Sequence, residues 1–116
     1  MEKVIWITLL FDFYGQLLTE RQQRFVELYY GQDFSLGEIA EEYGVTRQAV
    51  HDTLKRAEKT LTGYEEKLQL VKKFMDERKK ISDALKLLRD FRQDQNPHHL
   101  EKMEDILTEI SRLHEE

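Results

Sequence analysis

A chain of 116 residues is the length of one domain, or of a small domain with an appendage, and 40% hydrophobic residues with six Phe, five Tyr and one Trp suffice for a core. The absence of cysteine excludes disulfides and thiolate metal sites and fits a reducing, cytoplasmic setting, while a formal net charge of −5 is the wrong sign for a protein that grips nucleic acid by bulk charge. Residues 4–10, the apolar run after Met1-Glu2-Lys3, fall short of the roughly 20 residues a membrane span needs and lack a small-residue cleavage site, so neither membrane insertion nor a signal peptide is expected.

With five Gly, one Pro and apolar residues recurring at three- and four-residue steps, the chain reads as all-α. A first helix is expected over residues 3–14, closed near Gly15. Thr19 with Gln22 three residues on makes a capping box, opening a helix with Phe25, Val26, Leu28 and Tyr29 inward that stops at Gly31. Ser35 and Glu38 repeat the signal for a short helix whose buried face is Leu36, Ile39, Ala40 and Tyr43. Gly44 suits the left-handed position that ends a helix, Val45 plugs the turn, and Thr46 caps the next helix.

From there Val50, Leu54, Ala57, Leu61, Tyr64, Leu68, Val71 and Met75 form a heptad-like stripe. Thr62-Gly63 is a place where the stripe could kink or be interrupted, because Gly costs about 1 kcal/mol against Ala inside a helix. The stripe continues through Phe74, Ile81, Leu85 and Leu88 to Phe91. Asn96-Pro97 then supplies a cap and a first helical residue for a last helix carrying Leu100, Met103, Leu107, Ile110 and Leu113. The organisation is a helix-turn-helix domain over residues 1–62 and a C-terminal helical extension over 63–116, a long helix and a hairpin packing on or beside it.

The informative stretch is residues 35–56, SLGEIAEEYGVTRQAVHDTLKR. Ala40 is small where two helices cross, Gly44 permits the tight turn, and Val50 with Leu54 hold the second helix down. Helix, four-residue turn and helix is the spacing that presents a second helix to a major groove. Its outward residues are Arg47, Gln48, His51, Asp52, Lys55 and Arg56. Arg and Gln near a helix start can bond bidentately to guanine and adenine edges, and Lys55, Arg56 and Lys59 are spaced to meet phosphates. The candidate nucleic-acid-binding set is therefore Arg47, Gln48, His51, Lys55, Arg56 and Lys59. Residues 45–60 hold four basic and two acidic side chains, but residues 1–62 hold seven and ten, and Glu38, Glu41 and Glu42 would repel phosphates if they faced a duplex.

Other constellations carry less. Arg78-Lys79-Lys80 with Lys72 and Lys73 is a basic island that could touch RNA phosphates, though such runs are more often solvated faces with i,i+4 partners such as Asp76 and Lys80. His98, His99, Glu101 and His114 are metal-ligand types, but adjacent histidines diverge on a helix and no third ligand is evident, so no metal is expected. No phosphate-cradling loop, nucleophile elbow or HExxH pattern is present, so no catalytic residues and no cofactor are assigned. The aromatic block Trp6, Phe11, Phe13 and Tyr14 reads as core. A helix apolar on more than one side, with the long stripe, suits a homodimer, a partner helix or a hairpin with the last helix equally well.

The run from Leu18-Thr19 to Arg56 resembles the region-four helix-turn-helix of bacterial sigma factors, in its LT…LY…SL.EIAE..GV…AV…KR pattern, without the other regions of a sigma factor. Over nearly the whole length, the chain more closely resembles the YlxM-type family of small bacterial proteins. That likeness lies in FDFYG at residues 11–15, LTERQ at 18–22, VTRQAVHDTLKRAEK at 45–59 and YEEKLQLV at 64–71. It implies an accessory or regulatory part in the signal recognition particle pathway, through the particle's GTPase subunit or its RNA. Docking on a basic subunit would also ease the charge conflict. Beside it stand a DNA-binding transcription regulator and an interaction adaptor that touches no nucleic acid.

Overall fold

The computed structural model of the chain describes residues 1–115, and every regular element among them is helical. In chain order these are α1 (Lys3–Tyr14), a 3-10 turn (Gly15–Leu17), α2 (Glu20–Val26), which runs on into a π-helical turn (Glu27–Gly31), α3 (Leu36–Tyr43), α4 (Arg47–Leu68), α5 (Leu70–Asp94) and α6 (Pro97–Glu115). The fold is all-α, and it divides into two compact units, Met1–Val71 and the residues from Lys72 onward.

The local start and stop signals act as their chemistry requires. The Gln22 and Glu38 amides each donate to the hydroxyl of the cap residue three before them, and their own side-chain oxygens accept from the backbone of Thr19 and Ser35. Two otherwise orphaned donors are satisfied at each helix start. Gly44 sits at φ 64°, ψ 37°, and closes α3 by donating its N–H to the Ala40 carbonyl. Thr46 Oγ1 then accepts from Ala49 N–H at 3.0 Å to open α4.

In the first unit α4 is the strut on which α1, α2 and α3 all pack. Its inner side chains Val50, Leu54, Ala57 and Leu61 are buried against Ile7, Leu10 and Tyr14 of α1, Phe25, Val26 and Leu28 of the α2 segment, and Ile39 and Ala40 of α3. Each large side chain so buried contributes about 1.5–3 kcal/mol.

Thr62-Gly63 does not interrupt the helix. The helix continues past Gly63 and ends at Gln69, a left-handed residue at φ 55°. Packing on the C-terminal side of Gly63 outweighs its weak helix preference. Tyr64 stacks on Tyr14 with ring centroids 5.9 Å apart. The next residue, Glu65, is buried and accepts 2.7 Å from the Tyr14 hydroxyl. After the turn, Leu70 N–H donates to the Tyr14 hydroxyl at 3.1 Å and Val71 N–H to the Glu65 carboxylate at 3.0 Å. The first amides of α5 are thus capped by side chains from α1 and α4. Val71 is buried as its place in the stripe requires, but the stripe otherwise departs from its simple continuation here: Glu65 lies inside while Leu68 and Met75 are exposed.

From Lys72, α5 and α6 form an antiparallel hairpin, pinned by Glu77–His114 at 3.0 Å, Lys80–Glu109 at 2.8 Å and Asp94–His99 at 3.0 Å. Lys80 therefore pairs across the hairpin, not with Asp76. Asn96 Oδ1 accepts from His98 N–H at 3.0 Å, and Pro97 is the first residue of α6. The inward line of α6 is His99, Met103, Ile106 and Ile110, and Leu100, Leu107 and Leu113 are exposed.

Tyr14→Phe removes the hydroxyl that joins Glu65 to Leu70. It leaves a buried carboxylate oxygen and an amide short of partners, and is expected to destabilise the protein by about 1–3 kcal/mol. Urea unfolding followed by circular dichroism measures this, and no loss of stability would mean that water replaces the hydroxyl.

Candidate nucleic-acid interface

Because its inner stripe is buried, α4 has to turn its polar residues outward. Arg47, Gln48, His51, Asp52, Lys55, Arg56 and Lys59 are all exposed. Gln48, His51, Asp52, Lys55 and Lys59 follow three- and four-residue steps and share one face, with Arg47 and Arg56 on its two flanks. From Arg47 to Lys59 the face extends about 18 Å at 1.5 Å per residue. All six sequence-assigned binding residues are brought together on this one surface.

The side chains are not equally free. The Arg47 guanidinium lies across the start of α3, where a Cβ built on Gly37 would come within 3.0 Å of its Nε. Gly37 leaves the room that lets it lie flat there. Gln48 Nε2 donates to Asp52 Oδ1 at 2.9 Å, and His51 Nδ1 stands 3.5 Å from the same oxygen. These contacts, Gln48 foremost, hold the Asp52 carboxyl below its ordinary range. Two of the three candidate base readers are thus tied to a carboxylate on the same face.

Further along, Lys55 belongs to a cluster around Glu58. That carboxylate pairs with Lys3 Nζ of α1 at 2.9 Å, lies 3.7 Å from Lys55 Nζ and accepts from the Tyr30 hydroxyl at 3.0 Å. Glu58 raises the Lys3 ammonium, the neighbouring Lys3 lowers that of Lys55, and burial beside Glu58 pushes the Tyr30 phenol up to about 12. Two ammonium groups sharing one carboxylate leave a local positive surplus at the edge of the face. Sequence reasoning could not foresee it, because Lys3 and Lys55 meet only after folding.

Other neighbours also escaped the sequence reading. Arg21 and Arg24 of α2 are exposed cations, and Arg21 lies 5.8 Å from the Phe25 ring and 5.7 Å from that of Tyr43 on α3. Of the acidic residues on α3, Glu38 is occupied by its own cap, and hydrogen bonds from Ser35 hold its carboxyl low. Glu41 and Glu42 are exposed. His98 pairs with Glu101, His99 with Asp94 and His114 with Glu77, and no group of three or more metal-ligating side chains occurs among the described residues. No helix there is long and apolar enough to cross a membrane.

An outward-facing second helix, set by a glycine turn against a short supporting helix, defines a helix-turn-helix protein. The chain belongs to the family UPF0122, whose description is "Putative helix-turn-helix protein, YlxM / p13 like" and which matches residues 1–110. A UPF0122 protein of Desulforamulus reducens is 62% identical over 104 residues, covering 90% of this chain and 89% of the relative. UPF0122 protein YlxM of Bacillus subtilis is 57% identical over 88 residues, 76% of this chain and 79% of its own. A UPF0122 protein of a Thermoanaerobacter species is 45% identical over 112 residues, 94% of both chains. The family is described by its helix-turn-helix.

Gly37→Ala places a methyl group against the Arg47 guanidinium. Since a guanidinium is a flexible tip, and Ala favours helix over Gly by about 0.5–1 kcal/mol, the melting temperature is expected to hold or rise while Arg47 leaves its seat. Thermal unfolding checks the first part and the Arg47 side-chain NMR signal the second. A lowered melting temperature would mean that the Arg47 seat helps to hold the fold.

Proposed function

We propose that this protein is a non-enzymatic helix-turn-helix factor that binds nucleic acid through the outer face of α4. We further propose that it serves in the cytoplasm as an accessory or regulatory protein of the signal recognition particle, engaging the particle's RNA or its GTPase subunit. The observation that carries the reading is the two-sidedness of α4: a buried apolar line on one side, and on the other Arg47, Gln48, His51, Lys55, Arg56 and Lys59. The pathway rests on likeness to the YlxM-type proteins. A net charge of −5 supports a ligand met with the help of a basic partner more than one held by bulk attraction.

A second reading, a DNA-binding regulator, is favoured by one particular. Arg47 and Gln48 occupy the first turn of α4, where such side chains reach base edges in a major groove.

Titration of the full chain against duplex DNA, the particle's RNA and its GTPase subunit at two salt concentrations separates these readings. Binding to RNA or GTPase with indifference to duplex DNA is expected. Site-specific DNA binding lost with Arg47→Ala, at a cost of about 1–3 kcal/mol, would favour the regulator. Binding of protein alone, unmoved by reversing Arg47, Lys55 and Arg56, would leave an adaptor.

For the nucleic-acid ligand that binds, Asp52→Ala removes a like charge and unties Gln48 and His51. Affinity is expected to rise about fivefold, the ~1 kcal/mol that one charge contributes at close range in water. Fluorescence anisotropy at fixed salt measures it, and unchanged affinity would place Asp52 outside the contact.

A further inference from the structure

The hairpin from Lys72 onward buries too little to be complete. Ala84 is its one buried hydrophobic side chain among the described residues, whereas Ile81, Leu85, Leu100 and Leu107 are 44%, 52%, 42% and 52% exposed. Helical geometry places these four together. Relative to the inward-facing Ala84, Ile81 and Leu85 lie about 60° and 100° round α5, and relative to Met103, Leu107 and Leu100 lie about 40° and 60° round α6. In an antiparallel pair these rotations bring both to the same side of the hairpin. On α6 the surface there is a groove lined by Leu100, Met103, Leu107 and Ser111. The Lys80–Glu109 pair occupies the other side by the same geometry.

The charges around this face are divided between the helices. By the same rotation, Arg78 and Arg89 border it on α5, and Glu101 and Glu104 on α6. Over its length α5 carries eight basic and five acidic side chains, and α6 two basic and five acidic.

We propose that the face is covered by a second copy of this chain. The two hairpins meet about a two-fold axis along the helices and form a four-helix bundle in which each α5 lies over α6 of the other copy. The charge pattern selects this occupant, because a hairpin basic along one helix and acidic along the other is complementary to itself when turned by half a revolution. The area suffices. A face about 28 Å long and two helix diameters wide projects roughly 560 Å², and its accessible surface is larger, approaching the ~800 Å² per partner of a standard interface. All neighbours in such a bundle are antiparallel, the arrangement that short-looped helical bundles favour. The inference does not depend on what α4 binds.

Sedimentation equilibrium of the full chain from low- to high-micromolar concentration tests it. A dimer is expected, and Leu85→Glu or Leu107→Glu, each at an exposed position of the single chain, should weaken it by about thirtyfold or more, the effect of losing an interface hot spot. Arg89→Glu should weaken dimerisation, and adding Glu101→Arg should restore it, a rescue that misfolding cannot produce. Circular dichroism confirms that each variant keeps its helix content. Should a leucine variant unfold, the charge-reversal pair decides. A chain monomeric throughout the range overturns the proposal, as does a dimer indifferent to both sets of substitutions, which would have its interface elsewhere.

Discussion

Everything in the first unit follows from the burial of one side of α4. Val50, Leu54, Ala57 and Leu61 are each at most 3% exposed, and α1, α2 and α3 converge on that line. A helix whose apolar side is so completely used has no rotational freedom left, so the direction in which Arg47, Gln48 and His51 point is set by packing several residues away. The left-handed Gly44 and the Thr46 cap fix where the helix begins. Position along the axis and rotation about it are thereby both determined, which is what a precisely placed binding surface would require.

The far end of the same helix is held in a different way. Tyr14 and Glu65, fifty-one residues apart, meet at 2.7 Å and together receive the first two amides of α5. A helix start normally needs a polar cap next to it in sequence. Here the cap is assembled by tertiary structure, so the turn at Gln69 forms only when α1 and α4 are already docked. Burial and the carboxylate together raise the Tyr14 phenol, so it stays a donor across the neutral range.

That contrast explains what could be read in advance. Caps whose partner is three residues away, Thr19 with Gln22 and Ser35 with Glu38, were legible because both halves of the bond lie in one short window. Gly44 was legible because glycine takes its left-handed backbone angles without a side-chain penalty. The outward set on α4 was legible from periodicity alone. The end of α4 was not: local preference pointed to Gly63, while the deciding contacts come from Tyr14. Nor was the line of α6, where Ile106 and Leu107 are adjacent and only packing chooses between them. The ties that restrain the candidate site were equally hidden. The contact of Arg47 with Gly37 depends on a side-chain conformation, and Lys3 meets Lys55 only after folding.

The resulting picture is of an outward helix that is rigidly aimed but electrically moderate. Its cations are partly offset by Asp52 and Glu58 on the same helix, and the acidic α3 stands beside it. On the proposed function, recognition then has to come from fit or from a partner's charge more than from bulk attraction. The most direct measurement is the mapping of backbone amide chemical shifts of the labelled full chain during addition of the nucleic acid that binds it. The largest shifts are expected on Arg47, Gln48, His51 and Lys55, with smaller ones on the inward residues Val50 and Leu54. Shifts confined to residues 72–115, with α4 silent, would contradict it.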